Sequence, residues 1–343
     1  MSKKYRVIIA GCGGISSAKI EATRDRDDVE YVGLVDIRPE AAHKLAEKHQ
    51  LEGCLVADNL AEAIEQTGAE VVFDCTVPRA HKEITLTALS RGCHVLGEKP
   101  MADTMDNARE MVAAARASDR LYAVVQNRRY NKGIIALKEF IDSGAIGEVT
   151  TQQSDFYIGA HFGGFREEMD HVLLLDMAIH TFDAARFLSG SNGRSVYCSD
   201  WNPKGSWYRH GASATALFTM DDDIRYTYNG SWCSEGLHTS WESAWRIIGT
   251  GGSVIWDGHE TIKAQRITGT GGFHSELTDV ELPVKDLPAD RLEQAGVIAD
   301  FFDALAKGTE PQTVCTDNIE SLKMVFGAIS SAEQHQPVDL PGD

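Results

Sequence analysis

The chain has 343 residues, enough for two domains with sizeable cores, and its 43% hydrophobic and 24% charged content is that of an ordinary globular protein. A net charge of -18 argues against nucleic acid, anionic membrane surfaces and polyanionic substrates, and leaves neutral polar small molecules as partners. Seven scattered cysteines without a C-x-x-C pair, no apolar run of membrane-spanning length and no signal-like core after Lys3, Lys4 and Arg6 fit a reducing, cytoplasmic setting with neither a disulfide framework nor a zinc site.

Residues 5–10 read as a buried strand. Gly11-Cys12-Gly13-Gly14-Ile15-Ser16 follows, then a helical pattern over 17–24. Strand, glycine turn and helix in that order let backbone N–H groups approach a pyrophosphate at a helix N-terminus. The sixth fingerprint position is Ser16, still small enough for close packing. A second strand, 31–35, ends in Asp36, where the adenosine ribose is read in such folds. A carboxylate there accepts two ribose hydroxyls and repels a 2′-phosphate, which favours NAD. Arg38 lies two residues on and leaves NADP open, and a cap on the helix beginning near Pro39 is the alternative role for Asp36.

Helices over 40–49 and 60–66 alternate with strands over 54–57 and 71–75, the latter leading into Thr76-Val77-Pro78 and then His81. Val95, Leu96 and Gly97 form a further short strand, with Glu98 and Lys99 at its C-terminal end, where open α/β sheets bind ligands. Pro100 withholds a ladder donor and keeps Lys99 out of the helical region. A lysine held there can hydrogen-bond a substrate hydroxyl; a surface turn with a salt bridge is the plainer reading. A helix over 105–117 and a strand over 121–125 complete a parallel, doubly wound sheet.

After Asn127-Arg128-Arg129-Tyr130 and a helix over 133–143, strands dominate: 151–157, 213–219, 225–232, 245–248 and 262–267, broken by Gly- and Asp-rich turns. They predict a broad, mostly antiparallel or mixed sheet with one helix inserted at 171–188, and two helices, 290–306 and 318–333, close the chain. All six tryptophans fall in this half, suited to covering a sheet face or an interface and, at individual positions, to stacking on a sugar. In the inserted helix Asp176, His180 and Asp183 are spaced i, i+4 and i+7, which puts them on one face of an otherwise apolar helix. A satisfied structural trio, a metal site short of a fourth ligand, and a general base His180 oriented by Asp176 all fit. The glycine-rich stretch 159–166 holds His161 and Arg166 and reads as either a substrate lid or an ordinary surface loop.

Taken together, these residues resemble the Gfo/Idh/MocA oxidoreductases, relatives of glucose–fructose oxidoreductase and inositol dehydrogenase, over nearly the whole chain. Glu98-Lys99-Pro100 matches the family's E-K-P, and Asp176-x-x-x-His180 its D-x-x-x-H. Thr76 with His81 resembles T-P-x-x-x-H, with Val77 at the proline position, and Asn127-x-Arg129-Tyr130 resembles N-x-R-[FY]. The resemblance implies a Rossmann domain over 1–126 and, over 127–343, an α/β domain with a large open sheet for substrate and for homodimer or homotetramer formation. It implies NAD, with NADP possible, held by Gly11, Gly13, Gly14, Ile15, Asp36 and Arg38, with Thr76, Val77, His81, Glu98, Lys99 and Asn127 along the cofactor path. It makes Lys99, Asp176 and His180 the catalytic set; His161 and Arg166 of the candidate lid are expected beside the substrate, and no metal is expected. The implied activity is oxidation of a secondary alcohol on a sugar, inositol or related polyol. An NAD-dependent glycosidase and a non-catalytic NAD-binding regulator are the alternatives.

Overall fold

The computed structural model describes residues 3–342. The chain divides into two compact units, the first running up to Tyr130 and taking in Pro288–Ile319, the second made of Asn131–Leu287 and the residues from Glu320 on. The first unit therefore includes 127–130 and one late segment that the 1–126 and 127–343 division assigned to the other half.

In chain order the first unit runs β1 (Tyr5–Ala10), α1 (Gly14–Ala22), β2 (Val29–Val35), α2 (Pro39–His49), β3 (Leu55–Ala57), α3 (Leu60–Thr67), β4 (Val71–Asp74), α4 (Pro78–Ser90), β5 (His94–Gly97), α5 (Met105–Ser118) and β6 (Tyr122–Val124). Every strand pairing is parallel, in the order β3-β2-β1-β4-β5-β6. The expected doubly wound sheet is present, and β4 is buried at every position, as a sheet covered on both faces requires. The order reverses between β1 and β4, which opens the ligand crevice at their C-terminal ends.

The second unit carries α6 (Lys132–Asp142), β7 (Val149–Tyr157), α7 (Ile179–Ser189), β8 (Gly193–Trp201), β9 (Ser213–Met220), β10 (Arg225–Ser231), β11 (Ala244–Gly249), β12 (Gly252–Trp256), β13 (Ile262–Gly269) and β14 (Glu276–Val280). The remaining elements are α8 (Glu293–Lys307), α9 (Cys315–Gln334) and β15 (Val338–Asp339). The sheet order is β14-β13-β12-β11-β7-β10-β9-β8-β15, antiparallel throughout except for the parallel β7–β10 pair. Strands β8, β12, β14 and β15 add to the five read from the sequence.

Helix α8 lies wholly in the first unit, where Val297, Ile298, Phe301 and Phe302 join the core under β1 and β4. The Phe302 ring lies 5.3 Å from Tyr5 and 6.1 Å from Phe73. In the second unit Phe182 of α7 packs edge-on against Phe218 and Tyr228. The opposite sheet face leaves Tyr197, Trp201, Leu217 and Ile248 exposed. Of the six tryptophans, Trp232, Trp245 and Trp256 are buried in this core and unavailable to a sugar.

Candidate active site

In the first unit, the turn behind β1 is shaped by close backbone approach. Gly11 sits at φ +87°, and a Cβ on it would lie 2.7 Å from the Cys75 carbonyl and the Thr76 nitrogen, a space only glycine leaves free. Gly13 and Gly14 have nothing within 4 Å of a built Cβ, and Gly13 caps α1 without a side-chain bond. The first N–H groups of α1, including that of half-buried Ile15, thus lie at an open helix N-terminus.

Asp36 fixes the other end. Its Oδ2 accepts the Cys12 N–H at 2.8 Å and its Oδ1 the Arg38 N–H at 2.9 Å, while the exposed Arg38 guanidinium stands 3.7 Å away. The bond to Arg38, the N-cap of α2, means that Asp36 shapes the start of that helix as well as facing the glycine turn. A cleft of about 440 Å³ opens here, lined by Gly13, Gly14, Ser17, Arg38, Lys44 and Lys48. Two large aliphatic side chains stand in solvent nearby in sequence to these turns: Ile37, 87% exposed, and Val77, 53% exposed. Ile37 escaped the sequence reading, although a bare isoleucine between an acid and an arginine at a strand end was the available signal. The donors and the acid with oriented lone pairs fit a dinucleotide.

The turn after β5 is braced from inside. Asp74 is buried; its Oδ1 accepts the Thr76 N–H at 3.0 Å and the Thr76 hydroxyl at 2.5 Å, and burial pushes its carboxyl above the usual range. Glu98 and His81, expected along the cofactor path, each also make bonds within the protein around this turn. The Glu98 carboxylate meets the fully buried ammonium of Lys19, which also donates to Gln294 Oε1 at 3.3 Å. Lys19, on α1, went unnoticed because a lysine in a helix reads as solvated. His81 is 1% exposed, with Nδ1 3.0 Å from the Pro100 carbonyl and Nε2 3.2 Å from that of Thr76. The Lys99–Pro100 peptide is cis and Lys99 is half-buried. Asn127 donates to Glu293 Oε2 at 3.2 Å.

In the second unit the stretch 171–188, expected as one α-helix, begins as a wide π turn, Leu173–Ala178, and becomes α only from Ile179. Asp176 sits in that wide turn and buried His180 in the first turn of α7. Such turns cluster at functional sites because the extra residue re-aims side chains. Arg166, expected to touch substrate, forks onto Asp176: Nε to Oδ2 at 2.8 Å and Nη2 to Oδ1 at 3.4 Å. His161 stacks on Trp207, ring centroids 3.7 Å apart, and pairs with Glu235 at 2.8 Å. Asp183 is buried, accepts from Ser321 at 2.7 Å and lies beside Arg186. Among the described residues no group of three or more His, Cys, Asp or Glu could hold a metal.

Comparison with known proteins agrees with this layout. Residues 5–126 match a family described as "Oxidoreductase family, NAD-binding Rossmann fold", and residues 134–255 match "GFO/IDH/MocA C-terminal domain". A D-glucoside 3-dehydrogenase of Escherichia coli is 34% identical over 55% of either chain. A 1,5-anhydro-D-fructose reductase of Ensifer adhaerens is 25% identical over 82% of this chain and 83% of its own. An oxidoreductase of Agrobacterium radiobacter, solved with NAD+, L-tartaric acid and magnesium, superposes with a TM-score of 0.86 over 98% of this chain and 99% of its own, at 20% identity, a likeness of fold.

Proposed function

The chain belongs to the Gfo/Idh/MocA oxidoreductases, with an NAD-binding Rossmann domain at its N-terminal end, and from that premise we propose that it is a dehydrogenase of sugars, inositols or related polyols. The observation that carries the reading is the first unit's open glycine turn faced by Asp36, and each unit adds a candidate reacting group of its own: Lys99 at the end of β5 in the first, and in the second a wide helical turn that presents an aspartate one turn before a histidine. Relatives whose names are those of a glucoside dehydrogenase and an anhydrofructose reductase support net redox chemistry over an NAD-dependent glycosidase cycle.

Bound NAD supplies the hydride acceptor. In this reading the N–H groups around Gly11, Gly13, Gly14 and Ile15 take the pyrophosphate, and Asp36 accepts the ribose hydroxyls, so NAD is preferred while Arg38 leaves NADP usable. Ile37 and Val77 flank the adenine, and Thr76 and Asn127 follow the cofactor path. Glu98 and His81 act behind them, by holding the turn that offers Lys99.

Lys99 Nζ donates to the reacting hydroxyl oxygen and stabilises the alkoxide that develops on it. His180 takes the hydroxyl proton as general base. Asp176 favours the imidazolium so formed, and Arg166 holds the Asp176 carboxylate in place. His161 stands on the substrate side of the same reading. Self-association through the open sheet face is part of the proposal, supported by exposed Tyr197 and Leu217, which are direct cross-strand partners. A cytoplasmic location completes it, consistent with cysteines that are all unbridged.

The experiment is Lys99→Met. NAD affinity should stay near wild type, while turnover falls roughly 10²–10³-fold, the usual loss for a missing oxyanion partner. Near-normal turnover would remove Lys99 from the chemistry.

A further inference from the structure

We propose that His171 is a positioning residue: as an imidazolium bridging Asp200 and Glu333, it fixes the start of the wide turn that carries Asp176 and leads to His180. The inference rests on the catalytic roles proposed above for those two residues.

His171 holds a left-handed backbone, φ +49°, which a side chain adopts at a cost and which therefore needs something to hold it. Its carbonyl accepts the Leu175 N–H at 3.0 Å, a bond that spans the entry to the π turn. Its ring nitrogens point two ways: Nδ1 is 2.6 Å from Asp200 Oδ2, and Nε2 is 3.4 Å from Glu333 Oε1. Ionised carboxylates only accept, so both nitrogens must carry protons to satisfy both partners. The tie joins the turn to the end of β8 and to Glu333 near the end of α9, three residues that all lie in the second unit.

Asp200 gives an independent reason for a cation at this place. Its side chain is 5% exposed, its Oδ1 is buried without a hydrogen-bond partner, and a Cβ on Gly211 would collide with it. A carboxylate so enclosed is costly without a positive neighbour. Nearby Cys198 adds no charge of either sign, because burial pushes its thiol up to about 12 and keeps it neutral. Asp170 is engaged with His210 at 3.1 Å. The hydrogen bond to Asp200 raises the His171 pKa, and burial opposes it. A raised folded pKa means that the tie is complete below the ordinary imidazole value of about 6.5 and is lost as pH rises through the folded value.

The test follows ¹⁵N-labelled histidine rings of the full-length protein by NMR against pH, with kcat and KM measured on the same samples. Wild type should show a His171 ring that keeps both protons to a higher pH than an ordinary imidazole of about 6.5, and the His180 signals should move as His171 titrates. Asp200→Asn should lower the His171 pKa and carry the alkaline fall of kcat downward with it, with KM for NAD unchanged. His171→Gly separates the tie from the backbone: glycine takes φ +49° freely, so a purely structural role predicts full activity. The tie predicts kcat roughly 10- to 100-fold lower, as expected when a reacting group is misplaced, and no fall on the alkaline side. A His171 ring that titrates at or below the ordinary imidazole value of about 6.5, or a His171→Gly enzyme with normal kcat and pH profile, would overturn the inference. An intact tie that moves His180, in a protein that oxidises no sugar or polyol, would instead sink the functional reading and leave the tie standing.

Discussion

Lys19→Met is expected to unlock the first unit from inside. The Lys19 ammonium is fully buried against Glu98, whose side chain is 11% exposed, and Gln294 is its second acceptor. Removing one member of a buried pair typically costs about 3–5 kcal/mol, because the other charge is left without compensation. Glu98 keeps some solvent contact, so the lower end applies, about 3 kcal/mol, or roughly a hundredfold in the opening equilibrium. Tryptophan fluorescence would miss the effect, since all six tryptophans lie in the second unit. Amide hydrogen exchange in β1, β4 and β5 is the suitable assay, and those amides should exchange roughly a hundredfold faster while the strands of the second sheet keep their rates. The double variant Lys19→Met with Glu98→Gln, which removes both charges, should recover most of the loss. Exchange within about threefold of wild type in the single variant would show that the pair does not hold the turn, and the bracing of Lys99 argued from it would fall.

Gly11→Ala should cost about 1–2 kcal/mol for the left-handed backbone alone, with more from the Cys75 contact, and should weaken NAD binding at least tenfold by calorimetric titration; unchanged affinity would contradict the geometry of the turn. Arg166→Met should lower kcat about 10- to 100-fold with NAD affinity unchanged, and Arg166→Lys should recover only part, because an ammonium cannot reproduce the fork onto Asp176. His94 Nδ1 accepts the Leu121 N–H at 2.9 Å, and burial pulls its pKa down to about 4. Its folded pKa lies below the unfolded value of about 6.5, so its contribution is complete above pH 6.5 and is lost as pH falls toward 4. Amide exchange in β5 and β6, corrected for intrinsic rates, should show this loss, and His94→Asn should flatten it.

The features legible in the sequence share a short range. The strand–glycine turn–helix at 5–24 and the acid at 36 are local patterns, and the parallel sheet follows from strands alternating with helices. The helix over 17–24 was placed late because a glycine, Gly14, opens α1, where propensity alone would not begin a helix. The π turn was invisible for another reason: Val172 to Leu175 is a continuous apolar run, which fits either helical period. The allegiance of α8 to the first unit lies in which sheet its Phe301 and Phe302 meet, and an apolar stripe does not say that. Long-range pairs were equally hidden. Lys19 with Glu98, and Arg166 with Asp176 across a loop, depend on folded proximity, which local patterns do not encode. Strand β14 was missed because most of its residues are exposed and carry no burial pattern.

Net hydride transfer from a secondary alcohol to NAD is tested most directly by product stoichiometry. Protein freed of bound nucleotide would be given excess NAD with a panel of inositols, aldoses and glycosides, with NADH, ketone product and released aglycone each quantified. One NADH per ketone, with turnover lost in Lys99→Met, is the expected result. Sustained glycoside cleavage with NAD in catalytic amounts and no accumulated NADH would contradict it.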